Sequence, residues 1–308
     1  MTVTVRSFAK INLGLCVGAP RPDGFHDLRT VYQTIALHDI IGVQVGRGTG
    51  IEIRCDDERV PKDQTNTCYR IAESAMHALG ASGRVTITIE KRLPVQGGLG
   101  AGSGNAVATL LALERALKKE LPRAERLRIA AGVGSDLPLF LVGGTVLGLG
   151  RGEQVYPLED LQAMDCVVVT PQVGVSTPKA FAEWDRKLTL PTASDRMNEL
   201  GQGLSAWLGE MYSGAPFRRG RAENPLLEFV RAGIKNDFEQ VVFPEYPELS
   251  EGKSALERAG AKYASLSGSG STLYGMFASK EAARAAVTRL RKQGWAAQAT
   301  VTLPRREY

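Results

Sequence analysis

The chain has 308 residues, 43% of them hydrophobic and 23% charged, with a net charge of +5 and a pI near 9.0. That length is enough for two cores of about 150 residues each, and the even mixture of both charge signs excludes a disordered or fibrous chain. Basic residues cluster only at Arg218, Arg219 and Arg221 and at Arg305 and Arg306, and the few aromatics do not interleave with them, so the charge suits a small anionic partner and argues against a nucleic-acid interface.

In chain order, β-branched and alternating runs predict strands at Val3–Val5, Gly42–Val45, Ile51–Ile53 and Val85–Ile89. The run Ile11–Ala19 follows Arg6 and Lys10 and has the length of a signal-peptide core, but Asn12 and two glycines interrupt it, so it also reads as a strand. Ile71, Ala72, Ala75, Met76 and Leu79 share one face of a helix over Asn66–Leu79. A second helix is predicted over Asn105–Lys119, rich in Ala and Leu and ending in lysines, and a third over Arg123–Ala131. Ser135-Asp136-Leu137-Pro138 has the pattern of a cap followed by an early-turn proline, which sets Asp136 where a helix begins.

The second half opens on a buried strand at Cys166–Val169. It closes with strands at Ala264–Leu266 and Leu273–Phe277, a helix over Lys280–Lys292 and a last strand at Ala297–Val301. The class is α+β, with a domain over 1–155 and another over 156–308. Residues 186–224, punctuated by prolines and glycines, have no periodicity and read as an insertion or linker. Cys16, Cys55, Cys68 and Cys166 form no CxxC pair, and His26, His38 and His77 show no HExxH spacing, so a zinc site is not expected and a reducing, cytoplasmic setting is. The uncharged stretch Leu137–Gly150 is too short for the roughly 20 residues of a membrane span.

The strongest chemical signal is Leu93-Pro94-Val95-Gln96-Gly97-Gly98-Leu99-Gly100-Ala101-Gly102-Ser103-Gly104-Asn105, directly before the second helix. Glycines let backbone N–H groups turn toward an anion, and the helix N-terminus adds free donors and a positive dipole end, so phosphate is the expected ligand. No Gly-Lys-Ser/Thr follows and no register gives GxGxxG, which removes the Walker and dinucleotide-binding patterns. No GxSxG is present either, so a hydrolase triad has no support.

This glycine loop resembles the phosphate-binding loop of the GHMP kinases. Ala9-Lys10-Ile11-Asn12-Leu13 and Arg21-Pro22-Asp23-Gly24-Phe25-His26-Asp27-Leu28 resemble the branch that phosphorylates a 4-diphosphocytidyl derivative of methylerythritol. So do Gly134–Phe140, Gly174–Pro178, Asn236–Glu239 and Ser267–Gly270, all in the same order.

The resemblance implies a two-domain fold, an N-terminal domain like part of ribosomal protein S-five and a C-terminal ferredoxin-like domain, with the active site between them. It implies ATP and Mg2+ as cofactors and a small-molecule cytidine diphosphate substrate, with no nucleic-acid or membrane partner, in a monomer or weak homodimer. It also implies Lys10 and Asp136 as the catalytic pair, with Asn66, Lys91, Pro94, Gly97, Gly98, Leu99, Gly100, Ala101, Gly102, Ser103 and Gly104 on ATP. Asn12, Phe25, His26 and Phe181 would meet the substrate.

Two departures bear on this. Phe25 stands where the family commonly has tyrosine, which keeps a stacking face and removes a phenol. Ser103-Gly104 stands where it commonly has Ser-Ser, which leaves Ser103 as the loop's serine for magnesium. Core packing is the competing role for Phe181, a turn histidine for His26, a solvated charge for Lys10 and a helix cap for Asp136. Two whole-chain alternatives are a GHMP kinase for another alcohol, which would show no preference for cytidine, and a nucleotide-binding module without turnover, which would lack the lysine and aspartate pair.

Overall fold

The computed structural model describes residues 1–160, 162–187, 198, 201–203, 205 and 235–308. Most of the aperiodic region 186–224 thus lies outside the described residues. The runs read separately at Val3–Val5 and Ile11–Ala19 belong to one long strand, β1 (Val3–Pro20), which pairs antiparallel with β2 (His26–Gly46). The register shifts between Phe8 and Ala9, between Asn12 and Gly14 and between Val17 and Pro20, and such bulges re-aim side chains. Lys10 and Asn12, two apart on the strand, come out on one face.

β2 also pairs with β4 (Arg84–Glu90) through Ile40–Gly46 and with β5 (Thr145–Leu149) through Thr30–Gln33. β3 (Ile51–Cys55) and β6 (Gln154–Pro157) complete a six-stranded sheet. On it lie α1 (Thr67–Ala78) and α2 (Ala101–Leu117), and α3 (Arg123–Val133) packs on α1. α1 turns Cys68, Ile71, Ala72 and Ala75 inward, and each large apolar side chain so buried contributes about 1.5–3 kcal/mol.

α2 begins at Ala101, four residues earlier than the sequence predicts, so Gly102 and Gly104 are helical rather than part of the loop. The cause is close packing on β1: a Cβ on Gly104 would stand 2.9 Å from both the Phe8 carbonyl oxygen and Ser7 Oγ. The prediction for Asp136 also needs correcting. α3 ends at Val133 and α4 is a four-residue turn of helix at Leu139–Val142, capped at Pro138 without a side-chain bond, so Asp136 sits in the turns between them and caps nothing.

The second sheet contains β7 (Asp165–Val169), β8 (Tyr263–Leu266), β9 (Leu273–Phe277) and β10 (Ala297–Val301), all antiparallel in the order β10-β7-β9-β8. That order, with helices α5 (Thr177–Lys187), α6 (Glu239–Glu245) and α7 (Pro247–Arg258) between β7 and β8 and α8 (Lys280–Lys292) between β9 and β10, is ferredoxin-like. A core that includes Ile11, Leu13, Val31, Ile35, Leu99, Val168, Tyr274 and Met276 joins the two sheets. Backbone bridges Leu15–Asn236 and Ile35–Thr302 fasten the junction. No helix among the described residues is long and apolar enough to cross a membrane.

Candidate active site

The glycine loop leads into α2 through Gln96, Gly98 and Gly100, which all have positive φ (58°, 77° and 67°). Gly98 has no room for a side chain, because a Cβ there would overlap the Ser267 carbonyl oxygen. The loop is held open from three sides. Lys10 N–H donates to the Leu99 carbonyl at 3.0 Å, Thr272 N–H to the Gly97 carbonyl at 3.1 Å, and Ser267 Oγ to the Gly98 carbonyl at 2.9 Å. A cleft of about 380 Å³ opens in front of it, lined by Asn66, Lys91, Pro94, Gly97, Gly98, Gly100, Ala101, Gly102 and Ser103, and also by Arg59, Cys68 and Asn105. Leu99, 1% exposed in the junction core, and Gly104, packed on β1, do not line it.

Asn66 and Lys91 carry structural duties at the edge of this cleft. Asn66 caps α1, accepting from Cys68 N at 2.8 Å and donating to the Pro61 carbonyl at 2.6 Å. Lys91 Nζ donates at 2.7 Å to the fully buried carboxylate of Asp39, which also accepts from the Arg92 and Leu93 amides (2.7 Å each) and from Asn105 Nδ2 (2.9 Å). Asp39 thus clamps the segment before the glycine loop to α2, a role that no motif in the sequence announces. The four cysteines are buried and in no disulfide, and burial pushes the Cys68 and Cys166 thiols up to about 12, which makes them inert nucleophiles.

Lys10 is 3% exposed, and its stem lies against the loop: a Cβ on Gly100 would stand 3.0 Å from Lys10 Cγ. Its ammonium donates to Asn12 Oδ1 at 2.7 Å, stands 3.4 Å from Asp136 Oδ2 and lies 5.5 Å from the centre of the Tyr32 ring. Asn12 passes the connection on, donating to Thr30 Oγ1 at 2.8 Å, and Thr30 donates to the Gly14 carbonyl at 2.7 Å. Tyr32 donates its hydroxyl to Asp136 Oδ1 at 3.1 Å. Burial, followed by the charge of the Asp136 carboxylate, holds the Tyr32 phenol well above its ordinary range, so it remains a donor. The structure therefore brings together Lys10, Asn12 and Asp136, three of the residues singled out in the sequence. Tyr32 is a fourth member that sequence reasoning missed, because on a strand it reads as an ordinary core aromatic.

Of the residues expected to meet the substrate, His26 is 7% exposed and stacks on Phe181 with ring centres 4.6 Å apart and planes 22° apart. Phe181 meets Phe238 edge-on at 4.9 Å, so it has packing partners as well as a place beside His26. Phe25 is 48% exposed, and its ring carries the Arg151 guanidinium at 4.6 Å. Its turn is tied by Arg21 N–H to the Phe25 carbonyl (2.6 Å), with Gly24 at a φ of 80°.

The remaining motifs brace the second glycine loop. Asn236 Nδ2 donates to the Leu266 and Gly268 carbonyls (2.8 and 2.7 Å), Asp237 Oδ2 accepts from Val17 N (2.9 Å), and Glu239 Oε1 accepts from Leu266 N (3.0 Å). Asn236–Glu239 thus positions Ser267–Gly270 against the first loop.

Two family models match the chain: the GHMP kinases N terminal domain over residues 66–144 and the GHMP kinases C terminal domain over residues 222–295. With a ferredoxin-like sheet behind a glycine loop that opens a helix, they define the class as a GHMP kinase. A crystal structure of 4-(cytidine 5'-diphospho)-2C-methyl-D-erythritol kinase superposes with a TM-score of 0.74 at 29% identity, covering 97% of this chain and 98% of that one. Homoserine kinase from Cytophaga hutchinsonii shares the fold at a TM-score of 0.71 and 20% identity, covering 98% of this chain and 95% of that one.

In sequence, the chain is 38% identical over 278 residues to the 4-diphosphocytidyl-2-C-methyl-D-erythritol kinase of Solibacter usitatus, covering 90% of this chain and 82% of that one. It is 32% identical to that of Geobacter sulfurreducens, covering 98% and 99%. The chain belongs to the 4-diphosphocytidyl-2-C-methyl-D-erythritol kinase family.

Proposed function

We infer that this chain transfers the γ-phosphoryl group of ATP to the 2-hydroxyl of 4-diphosphocytidyl-2-C-methyl-D-erythritol, giving the 2-phosphate, in the non-mevalonate route to isoprenoid precursors. The observation that carries the chemistry is Lys10, buried against Gly100 of the glycine loop and 3.4 Å from Asp136. A lysine whose stem lies against the glycine loop and whose ammonium stands beside a carboxylate supports a meeting point of acceptor hydroxyl and nucleotide at this spot. Phosphoryl transfer is mostly positioning and stabilisation of spread-out negative charge, and these are the two parts required.

In this reading Asp136 orients the acceptor hydroxyl and receives its proton late, while Lys10 steadies the transferring phosphoryl oxygens. The carboxylate is itself aimed by the Tyr32 hydroxyl and the ammonium, and the ammonium by Asn12. Positioning by a fixed carboxylate fits this arrangement better than an argument from a helix dipole, since Asp136 does not begin a helix. Asn12 meets the diphosphate or the tetritol oxygens, and Phe25, His26 and Phe181 hold the cytosine.

The cleft residues Asn66, Lys91, Pro94, Gly97, Gly98, Gly100, Ala101, Gly102 and Ser103 receive ATP, with Asn66 and Lys91 forming its wall. Residues 1–155 carry the loop and the pair, and residues 156–308 carry Phe181 and the second glycine loop. A cytoplasmic protein acting as a monomer or weak homodimer, with no nucleic-acid partner, completes the reading.

For magnesium, the donor set decides the fit. No group of three or more His, Cys, Asp or Glu side chains among the described residues is arranged for a metal, while Ser103 lines the cleft. That fits an ion held chiefly by phosphate oxygens and water, with Ser103 as a protein oxygen. When bound, such an ion would neutralise negative charge on the phosphates.

The test is ADP release with ATP and magnesium on the 4-diphosphocytidyl compound, mevalonate, homoserine and galactose. Turnover on the first alone is expected, and turnover on another alcohol would overturn the acceptor. Asp136→Asn should lower kcat about 10²- to 10⁴-fold with nucleotide affinity retained. Near-normal turnover would remove Asp136 from the chemistry.

A further inference from the structure

A second cleft, of about 630 Å³, opens between β2, β10 and the first turns of α8. Its apolar lining comes from Ala36, Leu37, Leu93, Ala283, Ala299 and Val301. Its charged lining is mostly cationic, with Arg92, Lys280 and Arg284 against Asp165, the one carboxylate among the described residues there. Lys280 and Arg284 are exposed and one turn apart on α8, on the face that Ala283 shares.

The placing of these two cations is unfavourable for the helix itself. Lys280 stands in the first turn, where the helix dipole favours carboxylates, and like charges four residues apart repel. Glu281 feels both charges but does not line the cleft, and neither cation is in a salt bridge with a described residue. Arg92, by contrast, donates to Glu90 through Nε and Nη2 at 2.8 and 2.6 Å. Two cations without a counter-charge beside an apolar floor suit an organic anion.

This cleft shares a wall with the one in front of the glycine loop. Along Lys91-Arg92-Leu93-Pro94, Lys91 and Pro94 line the glycine-loop cleft, while Arg92 and Leu93 line the second one. A hollow of about 290 Å³ is lined by all four. The Arg92 and Leu93 amides are also the ones that Asp39 holds, at 2.7 Å each.

We propose that the second cleft binds a phosphate ester with a short apolar body, the phosphate on Lys280 and Arg284 and the body on the alanine and leucine floor, and that residues 91–94 transmit its occupancy to the glycine-loop cleft. A phosphate that also engages Arg92 ties the shared wall to α8, which braces the wall and tightens nucleotide binding. The transmission rests on the assignment of the glycine-loop cleft to ATP; the binding site does not.

The probe is n-hexyl phosphate, titrated calorimetrically into the full chain at low ionic strength, with ADP in excess to keep the phosphate out of the glycine-loop cleft. One molecule per chain should bind. The double variant Lys280→Gln, Arg284→Gln should bind it about tenfold or more weakly, as the loss of charge-assisted hydrogen bonds requires, with wild-type ADP release in the absence of probe. The charge-keeping double variant Lys280→Arg, Arg284→Lys should retain binding. No binding to the wild type, or equal affinity in the wild type and the neutral variant, would overturn the site. Inorganic phosphate should bind more weakly than the ester, and equal affinity would overturn the apolar part of the ligand class.

The transmission is read as ADP affinity with and without saturating n-hexyl phosphate. ADP should bind roughly fivefold tighter with the probe present, and by linkage the probe should gain the same factor from ADP. An unchanged or weakened ADP affinity would overturn the transmission. Failure of ADP to bind at all would overturn the nucleotide assignment of the glycine-loop cleft instead, with the n-hexyl phosphate titration still deciding the second cleft.

Discussion

Removing the carboxylate of Asp39 tests how the cleft in front of the glycine loop is held in shape. Asp39 is fully buried and accepts four hydrogen bonds: from the Lys91 ammonium, from the Arg92 and Leu93 amides, and from Asn105. The Lys91 side chain is itself only 8% exposed, so Asp39→Ala leaves an ammonium without its counter-charge in a nearly dry site. Breaking a buried pair from one side costs about 3–5 kcal/mol, a large share of the roughly 5–15 kcal/mol that stabilises a typical fold.

Urea unfolding should show a lower midpoint with a similar slope, and the KM for ATP should rise because the segment before the glycine loop is released from α2. Adding Lys91→Met to Asp39→Ala should recover part of the loss, since it removes the stranded charge and leaves only the two amides and Asn105 without their acceptor. A loss below about 1 kcal/mol in the single variant would refute the clamp, because it would mean that water or another group satisfies these donors at no penalty.

Two glycines make further tests. Gly98→Ala puts a side chain both at a φ of 77°, which costs an L-residue roughly 1–2 kcal/mol, and onto the Ser267 carbonyl; stability and kcat should fall together, and wild-type ADP release would contradict the loop-on-loop contact. Gly104→Ser restores the serine common in the family, yet its Cβ would face Phe8 and Ser7 instead of the cleft. It should destabilise by about 1–3 kcal/mol without lowering the magnesium concentration needed for turnover, and a lowered requirement would show that the side chain reaches the nucleotide.

Much of the fold was legible because local signals agreed with tertiary demand. The strands at Ile51–Ile53 and Val85–Ile89 and the helix over Lys280–Lys292 appear where periodicity predicts them, since one buried face sets both the pattern and the place. The start of α2 was misread by four residues because glycine has low helix propensity, whereas here two glycines are what let the first turn lie on β1. Asp136 was misread as a helix start because its pattern suits a cap, while the chain makes only a four-residue helix after it.

The amino-acid sequence by itself determined the glycine loop before α2, the candidates Lys10 and Asp136 and the turn over Asp23–His26, because each lies in a run of neighbouring residues whose chemistry is local. Only the tertiary structure decided that Lys10 lies against Gly100, that Tyr32 aims Asp136, that Asp39 clamps the loop to α2, and that Asp185 meets His26. Those contacts join residues tens to more than a hundred positions apart. Strand pairing and helix packing bring them together, and no local pattern records which distant carboxylate or phenol will arrive.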